Sequence, residues 1–284
     1  MKAAPVLVKN ALVTGCSSGI GRATARVLRD RGWRVIPTAR KDEDLDQLRA
    51  EGFEPVRIDV ADESSVKHAA ARALEILGGQ LGALVNNAGF GQAGAVEDLT
   101  RETLRYQFEV NVLGLQDLTN RIIPTFRKQG WGRIVNISSV LGRVVIPFYG
   151  SYCATKFAVE ALSDNLRIEL HGTGIAVCIV EPGPIVSQFR KNAAERAQAT
   201  LDPHAPTFGP MYEKEIARRM RQQKKPDAFT KPPEAVAEKI VHALESPRPK
   251  ARYCVTLPAY LGAFAARFVP TSLMDLARTR KLKM

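Results

Sequence analysis

Seven short runs of β-branched and aliphatic residues, bounded by Gly or Asp, alternate along the chain with longer stretches whose apolar residues recur at helical spacing. Nothing else in the sequence restricts the fold as much, because this alternation is the signature of repeated βαβ units, whose strands form a parallel sheet covered on both faces. Strands are predicted over Ala11–Thr14, Arg34–Ala39, Pro55–Asp59, Ala83–Asn86, Arg133–Ser138, Ile175–Glu181 and Arg252–Leu257. Helices are predicted over Gly21–Asp30, Ser64–Leu77, Arg101–Lys128, Tyr152–His171 and Pro233–Leu244, with Thr100 placed to start the third and Pro233 in the first turn of the last. The expectation is an α/β, doubly wound parallel sheet with helices on both faces, one domain over 1–284.

At 284 residues, 45% apolar and 25% charged, the chain can bury one large core, and disorder and low complexity are excluded. Four cysteines (Cys16, Cys153, Cys178, Cys254) stand far apart without a C-x-x-C pair, so no disulfide framework or metal site is expected, and a reducing cytoplasm fits. No run approaches the roughly 18 apolar residues of a spanning helix, and the run Ala3–Val8 is interrupted by Lys9 and Asn10, so a soluble protein is expected. Two places depart from the pattern. Pro37 sits in a strand expected to be interior, where it forfeits a ladder hydrogen bond and calls for a bulge or a shortened pairing. From Pro184 to Lys231 the alternation stops, with one short helix expected at Met211–Gln222, so this stretch is read as a mobile lid.

The first strand runs into Thr14-Gly15-Cys16-Ser17-Ser18-Gly19-Ile20-Gly21. Its three glycines let backbone approach a pyrophosphate and then open a helix whose N–H groups aim at it. The spacing is G-x-x-x-G-x-G, and the placement after a strand and at the head of a helix favours dinucleotide binding over a tight structural loop. Twenty-five residues beyond Gly15 stand Arg40 and Lys41, where a carboxylate would select the ribose hydroxyl of NAD. Arginine instead offers paired, charge-assisted donors to a 2′-phosphate, which points to NADP(H); the alternative is two solvated bases at a strand end.

Tyr152 and Lys156 stand four apart, on one face of a helix. A free phenol, with a pKa of about 10, exchanges protons poorly at neutral pH, and a fixed positive charge beside it stabilises the phenolate. By itself Y-x-x-x-K is a weak motif.

Together with the Gly15–Gly21 turn, Asn86-Asn87-Ala88-Gly89, Asn111, Ser138-Ser139 and Pro182-Gly183, in that order, this pair resembles the short-chain dehydrogenase/reductase family over nearly the whole chain. The resemblance implies a Rossmann-type sheet and hydride chemistry, with reducing power from the cofactor and geometry and a proton from the protein. It implies that Tyr152 is the proton donor or base, that Lys156 lowers the tyrosine pKa and holds the nicotinamide ribose, and that Ser139, thirteen residues before Tyr152, polarises the substrate oxygen. Ser138 then faces the other way. Asn111 would hold a water serving Lys156, or else bond a neighbouring backbone carbonyl. Gly15, Ser17, Ser18, Gly19, Ile20 and Gly21 would cradle the pyrophosphate, with Arg40 at the 2′-phosphate. Asn87, Ala88 and Gly89 would pass close to the cofactor, Asn86 being read as a turn former. Asp59 and Val60 would meet the adenine edge, Asp59 being also a possible helix cap. Pro182, Gly183, Ile185 and Ser187 would reach the nicotinamide amide, Ser187 standing where the family has threonine. The helices carrying Asn111 and Tyr152 would form the interface of a homodimer or homotetramer.

Within the family the chain resembles bacterial NADP-dependent aldehyde reductases and retinol and hydroxysteroid dehydrogenases, through Arg40-Lys41, Asn87–Gly91, Glu181–Ile185, Lys250–Tyr253 and Val255–Leu257. Val140, Leu141, Val145, Phe148, Tyr149, Ile185, Phe189, Met211 and Tyr212 are expected around the substrate, favouring a hydrophobic aldehyde, ketone or alcohol, although aliphatic residues beside a sheet equally serve as core. A 3-oxoacyl reductase would share the catalytic residues and differ in lid and tail; a non-catalytic NADP(H) sensor would be expected to lack Tyr152, Lys156 or Ser139.

The net charge is +12, and residues 214–284 hold 16 of the 41 basic but only 6 of the 29 acidic residues. With the apolar run Val255–Val269, part of a C-terminal extension over 252–284, this excess suggests weak contact with an anionic membrane. Pro258 and Gly262 are expected to disturb a helix there, and plain solvation explains the same charges. Nucleic-acid binding is not expected, since the bases lack interleaved aromatics and the first 213 residues are nearly neutral.

Overall fold

Side chains alternate along a strand, and here that alternation sorts the apolar residues into two cores, one on each face of a single sheet. In the computed structural model, which describes residues 3–202, 204, 207–224 and 228–279, the strands are β1 (Asn10–Val13), β2 (Arg34–Ala39), β3 (Val56–Arg57), β4 (Ala83–Asn86), β5 (Gly132–Ile137), β6 (Ile175–Glu181) and β7 (Arg252–Cys254). All pair in parallel, in the order β3-β2-β1-β4-β5-β6-β7. The helices are α1 (Gly19–Asp30), α2 (Asp42–Ala50), α3 (Glu63–Ile76), α4 (Arg101–Phe108), α5 (Gly114–Gln129), α6 (Gly150–Glu169), α7 (Phe189–Thr200), α8 (Gly209–Lys224), α9 (Glu234–Glu245), α10 (Leu257–Phe268) and α11 (Thr271–Thr279).

On one face Ala11, Val13, Val85, Val135 and Val180 pack with Leu28 of α1 and Val236 and Ile240 of α9. On the other, Leu12, Leu84, Ile134 and Val177 pack with Val66 of α3, Leu118, Ile122 and Phe126 of α5 and Leu166 of α6. Reversal of the strand order between β1 and β4 opens the crevice where ligands bind in such sheets, at the carboxyl ends of the strands.

Pro37 is accommodated by shortened pairing, without a bulge. It stays in register opposite Val13. The Thr38 carbonyl turns toward β1, accepting from the Cys16 N–H, and the Ala39 carbonyl turns the other way, accepting from Ile58. Pro37, in step with Ala39, therefore directs its missing donor toward β3, which begins its pairing only at Thr38.

Several boundaries differ from the sequence reading. Helix α2, with only Leu45 and Leu48 buried, offered too short an apolar stripe to be read. The helix expected over Arg101–Lys128 is interrupted by a π-turn, Glu109–Leu113. The stretch 184–231 holds two helices rather than one, α7 and α8 packing together through Ala197, Leu201, Tyr212 and Ile216; its residues 203, 205, 206 and 225–227 lie outside the described residues. Strand β7 ends at Cys254, and Pro258, at the head of α10, starts the helix that it was expected to disturb. Gly262 lies inside α10, where its bare backbone faces Val140 and Val144. Residues 280–284 of the C-terminal extension lie outside the described residues. Among the described residues no helix is long and apolar enough to cross a membrane.

One helix start is held by contact closer than any side chain allows. A Cβ at Gly114 would run into the Val60 carbonyl, which pins the π-turn and α5 against the loop after β3. Gly114→Ala is expected to cost about 1–3 kcal/mol and several degrees of melting temperature. An unshifted thermal unfolding curve would mean that α5 can stand off from Val60.

Candidate active site

Three strand-end loops close on one another before any ligand is considered. The Thr14 hydroxyl accepts from the N–H groups of Asn87 and Ala88, both at 2.9 Å, while the Asn87 side-chain amide donates to the carbonyls of Thr14 (2.8 Å) and Gly15 (3.0 Å). Asn87 thus acts on the glycine turn, and Thr14, a hydroxyl at a strand end that the sequence reading passed over, carries the other half of the clamp. Gly15 is left-handed (φ +71°), and a Cβ there would stand 2.9 Å from Ala88 Cα; at Gly21 a Cβ would strike the Gly15 carbonyl. From the third loop Ser187 approaches Gly19, where a Cβ would lie 3.1 Å from that of Ser187.

Ser18 precedes α1 in extended conformation with no side-chain cap, so the helix presents its N–H groups without an internal acceptor at that residue. Ser17 lends its carbonyl to Arg22, and Ile20 packs into the core. Cys16 is inert: burial pushes its thiol up to about 12. This cradle fits a pyrophosphate, since the glycines leave no side chain between backbone and ligand.

Along the crevice, Arg40 is half exposed and lies 3.7 Å from the Asp59 carboxylate, with a hydrogen bond to the Tyr106 hydroxyl at 3.1 Å. Asp59 accepts from the Ala61 N–H, and the helix cap that it was an alternative for is Asp62, which accepts from Ser64 and Ser65. Val60 sits beneath the start of α5. Asn86 is no turn former: its buried amide donates to Thr119 and Asn136, whose amide donates to Ser163, a polar ladder joining β4 and β5 to the helices beneath.

The catalytic candidates meet at the carboxyl end of β5. Ser139 accepts from the Leu141 N–H at 3.1 Å and lies beside the Tyr152 phenol, while Ser138 lies against Glu160 on the opposite side. Tyr152 is 7% exposed, with Phe189 5.2 Å away between ring centroids. The Lys156 ammonium donates to the Ile137 carbonyl at 2.8 Å and lies 5.7 Å from the centre of the Tyr152 ring. Burial drives the phenol well above its ordinary value, against the Ser139 bond that lowers it, and drives Lys156 down to about 8, against the Glu160 charge that raises it. Desolvation, and not a lowering by Lys156, dominates the phenol in this structure.

Asn111 lies in the π-turn, fully buried, and both ends of its amide grip Phe90: Oδ1 accepts from the N–H (3.0 Å) and Nδ2 donates to the carbonyl (2.9 Å), with Thr155 a further acceptor at 3.1 Å. The amide thus bonds a neighbouring backbone carbonyl, the alternative reading of this residue, and holds the Phe90 segment in place. Gly89 passes 3.1 Å from the Asn111 amide oxygen, counted from where its Cβ would be. The Pro182 carbonyl accepts from Val140, joining the β6 and β5 loops, Gly183 fits against Thr256, and Ile185 is buried with a bridge to Lys231.

Around this centre Leu141, Tyr149 and Phe189 pack with Tyr152. Phe148 has φ +62°, which bulky side chains rarely adopt, and its ring meets Phe208 and Tyr212 at 5.6 and 5.8 Å. That contact ties the catalytic loop to α8, and the sequence carried no signal of it.

A charged amine in this interior weakens the fold. Since Lys156 titrates at about 8 when folded and at 10.5 in water, the folded chain binds fewer protons between those values, and the cost of the ammonium fades as pH rises through that window. Lys156→Met is therefore expected to exceed the parent in stability near pH 7, with the margin closing above pH 8; urea midpoints over the pH range measure it, and a parent more stable at pH 7 would contradict it.

A short-chain dehydrogenase family profile matches residues 9–198. An uncharacterized oxidoreductase of Escherichia coli, YbbO, is 38% identical over 95% of this chain and 94% of its own, and mouse retinol dehydrogenase 16 is 34% identical over 94% and 86%. A Burkholderia phymatum short-chain dehydrogenase/reductase solved with NAD superposes with a TM-score of 0.79 at 26% identity, covering 95% of both chains. An actinorhodin polyketide ketoreductase solved with NADPH gives 0.74 at 29%, over 91% of this chain and 99% of its own. The chain belongs to the short-chain dehydrogenase family, as an oxidoreductase of CH–OH and C=O groups that uses a nicotinamide cofactor.

Proposed function

We propose that the chain reduces hydrophobic aldehydes or ketones with NADPH, or oxidises the matching alcohols with NADP. The observation that carries this reading is the meeting of Tyr152, Ser139 and the buried Lys156 ammonium at the carboxyl end of β5, under a glycine turn whose neighbouring strand ends in Arg40. When bound, the cofactor supplies the hydride. Gly15, Gly19 and Gly21 leave room for its pyrophosphate at the head of α1, and Arg40 supplies a guanidinium for a 2′-phosphate, which would replace Asp59 as its anionic partner.

Tyr152 provides the proton. Its burial keeps the phenol protonated, which is the form a carbonyl being reduced requires. Ser139, which accepts from the Leu141 N–H, keeps its O–H to give and orients the substrate oxygen with it. Lys156 stands close enough to stabilise negative charge as the phenol gives up its proton. Asn111 fixes Phe90 and, through it, the chain that passes Lys156. Phe189, Leu141 and Tyr149 around Tyr152 supply an apolar wall that suits a lipophilic carbonyl, and α7 with α8 act as the lid. The retinol dehydrogenase among the relatives accords with such a substrate.

The same reading extends to surroundings. Leu113, Phe157 and Ile168 lie 52%, 44% and 64% exposed on the helices carrying Asn111 and Tyr152 and suit a homodimer or homotetramer. Four free cysteines, three of them buried, suit the cytoplasm. Leu257, Tyr260, Leu261, Phe264 and Phe268 form an exposed apolar stripe on α10, which with the basic tail suits weak docking on an anionic membrane.

Tyr152→Phe is expected to lower turnover at least ~10³-fold with NADPH binding unchanged, and Arg40→Ala to raise KM for NADP far more than for NAD. Steady-state kinetics on medium-chain aldehydes, retinal and ketosteroids measure both; a Tyr152→Phe enzyme near parental activity, or equal KM changes, would overturn the corresponding assignment. The full chain is expected to sediment with anionic vesicles more than with neutral ones at low salt, and equal partition would remove the membrane role.

A further inference from the structure

A second charged centre lies directly behind the catalytic one, and its parts come from each segment that builds the site. Glu160, one helical turn beyond Lys156 on α6, is buried with its side chain 8% exposed. Glu181, 2% exposed, ends β6 just before the Pro182–Ser187 loop. Arg252 of β7 reaches both, donating to Glu160 at 3.1 Å and lying 3.2 Å from Glu181, while its other nitrogen meets Asp164 of α6. Arg143, from the loop that follows Ser139, donates to Glu181 at 3.2 Å. The thiol of Cys254 donates to the far oxygen of Glu181. Gly142 allows that loop to lie on α6; a Cβ there would stand 3.0 Å from both Glu160 Cγ and the Lys156 carbonyl.

We propose that Glu160 is a positioning residue for Lys156, its buried carboxylate, clamped by Arg252, keeping the ammonium charged inside the protein. The proposal rests on the functional reading only in giving that charge a use. The Lys156 amine has the Ile137 carbonyl from β5 as hydrogen-bond acceptor and the Tyr152 ring on its own helix, neither of which carries a full negative charge. Glu160 is the anion that opposes its desolvation. Glu160 is itself held above the usual carboxylate range, by burial first and by the adjacent Glu181, against the pull of Ser138, Arg252 and Arg143. Removing the Glu181 charge should free Glu160 to ionise earlier, so the two carboxylates act on Lys156 with opposite sign.

The test compares Glu160→Gln with Glu181→Gln, each neutralising one buried carboxylate of the same cluster at constant shape. For the full chain, urea midpoints against pH are measured with lysine and with methionine at 156, and the difference reports the Lys156 titration without any activity. Glu160→Gln is expected to move that titration down by about half a pH unit or more, and Glu181→Gln not to move it down. In the NADPH-saturated enzyme the alkaline limb of kcat should shift in the same sense, with KM for NADPH changed less than twofold. A titration in Glu160→Gln that does not fall, or that falls equally in Glu181→Gln, overturns the proposal. Because the stability measurement needs no turnover, it stands whether or not Tyr152→Phe bears out the proposed reaction.

Discussion

Desolvation of one amine sets the terms for the rest of this molecule. Lys156 is almost wholly removed from water, and the same burial that depresses its ionisation raises that of Tyr152. Two groups proposed to handle a proton are thus both pressed toward neutrality, and the protein sets partners beside them: the Ile137 carbonyl on the ammonium, the Ser139 hydroxyl near the phenol. Each partner is delivered by the end of β5. Precision there depends in turn on the sheet, because β5 is paired with β6 over its full length and with β4 from Arg133 to Asn136, and cannot shift alone.

The cofactor side obeys a different rule, in which backbone rather than side chains makes the shape. Thr14, Asn87 and Gly15 exchange hydrogen bonds across the β1 and β4 loops, so the glycine turn is held by its neighbours instead of by its own sequence. Such a turn is stiff before a ligand arrives, and less ordering is left to be done on binding. Arg40, by contrast, is a half-exposed side chain at the rim, paired with Asp59 and Tyr106 and free to exchange those partners. On the proposed reading, recognition of the dinucleotide is divided between a rigid floor and an adaptable edge.

Much of this was legible in the chain because it is local. Strand alternation, the glycine spacing, and Tyr152 with Lys156 on one helical turn are each local patterns, and the parallel, doubly wound sheet followed from repeated βαβ units. What escaped depends on distant encounters. Nothing near Asn111 announces that its amide will be spent on Phe90, since that pairing requires a π-turn to face a loop twenty-one residues upstream. The cluster of Glu160, Glu181, Arg143 and Arg252 is likewise assembled from four separate segments. Helix α7 was missed for a compositional reason, as a run of Ala, Arg, Lys and Gln shows little apolar periodicity until its alanines are seen packed against α8. Pro258 misled because proline breaks helices in the middle but suits their first turn.

The backbone at Phe148 has an evolutionary consequence. A left-handed conformation in a bulky residue persists only while its surroundings hold it, and here the holding comes from rings on the segment before and within α8. Exchanging that helix for one of another family member would release the loop that carries Phe148. Divergence toward new substrates in this lineage is therefore expected to change positions 148, 208 and 212 together, as a linked set inherited or lost as one.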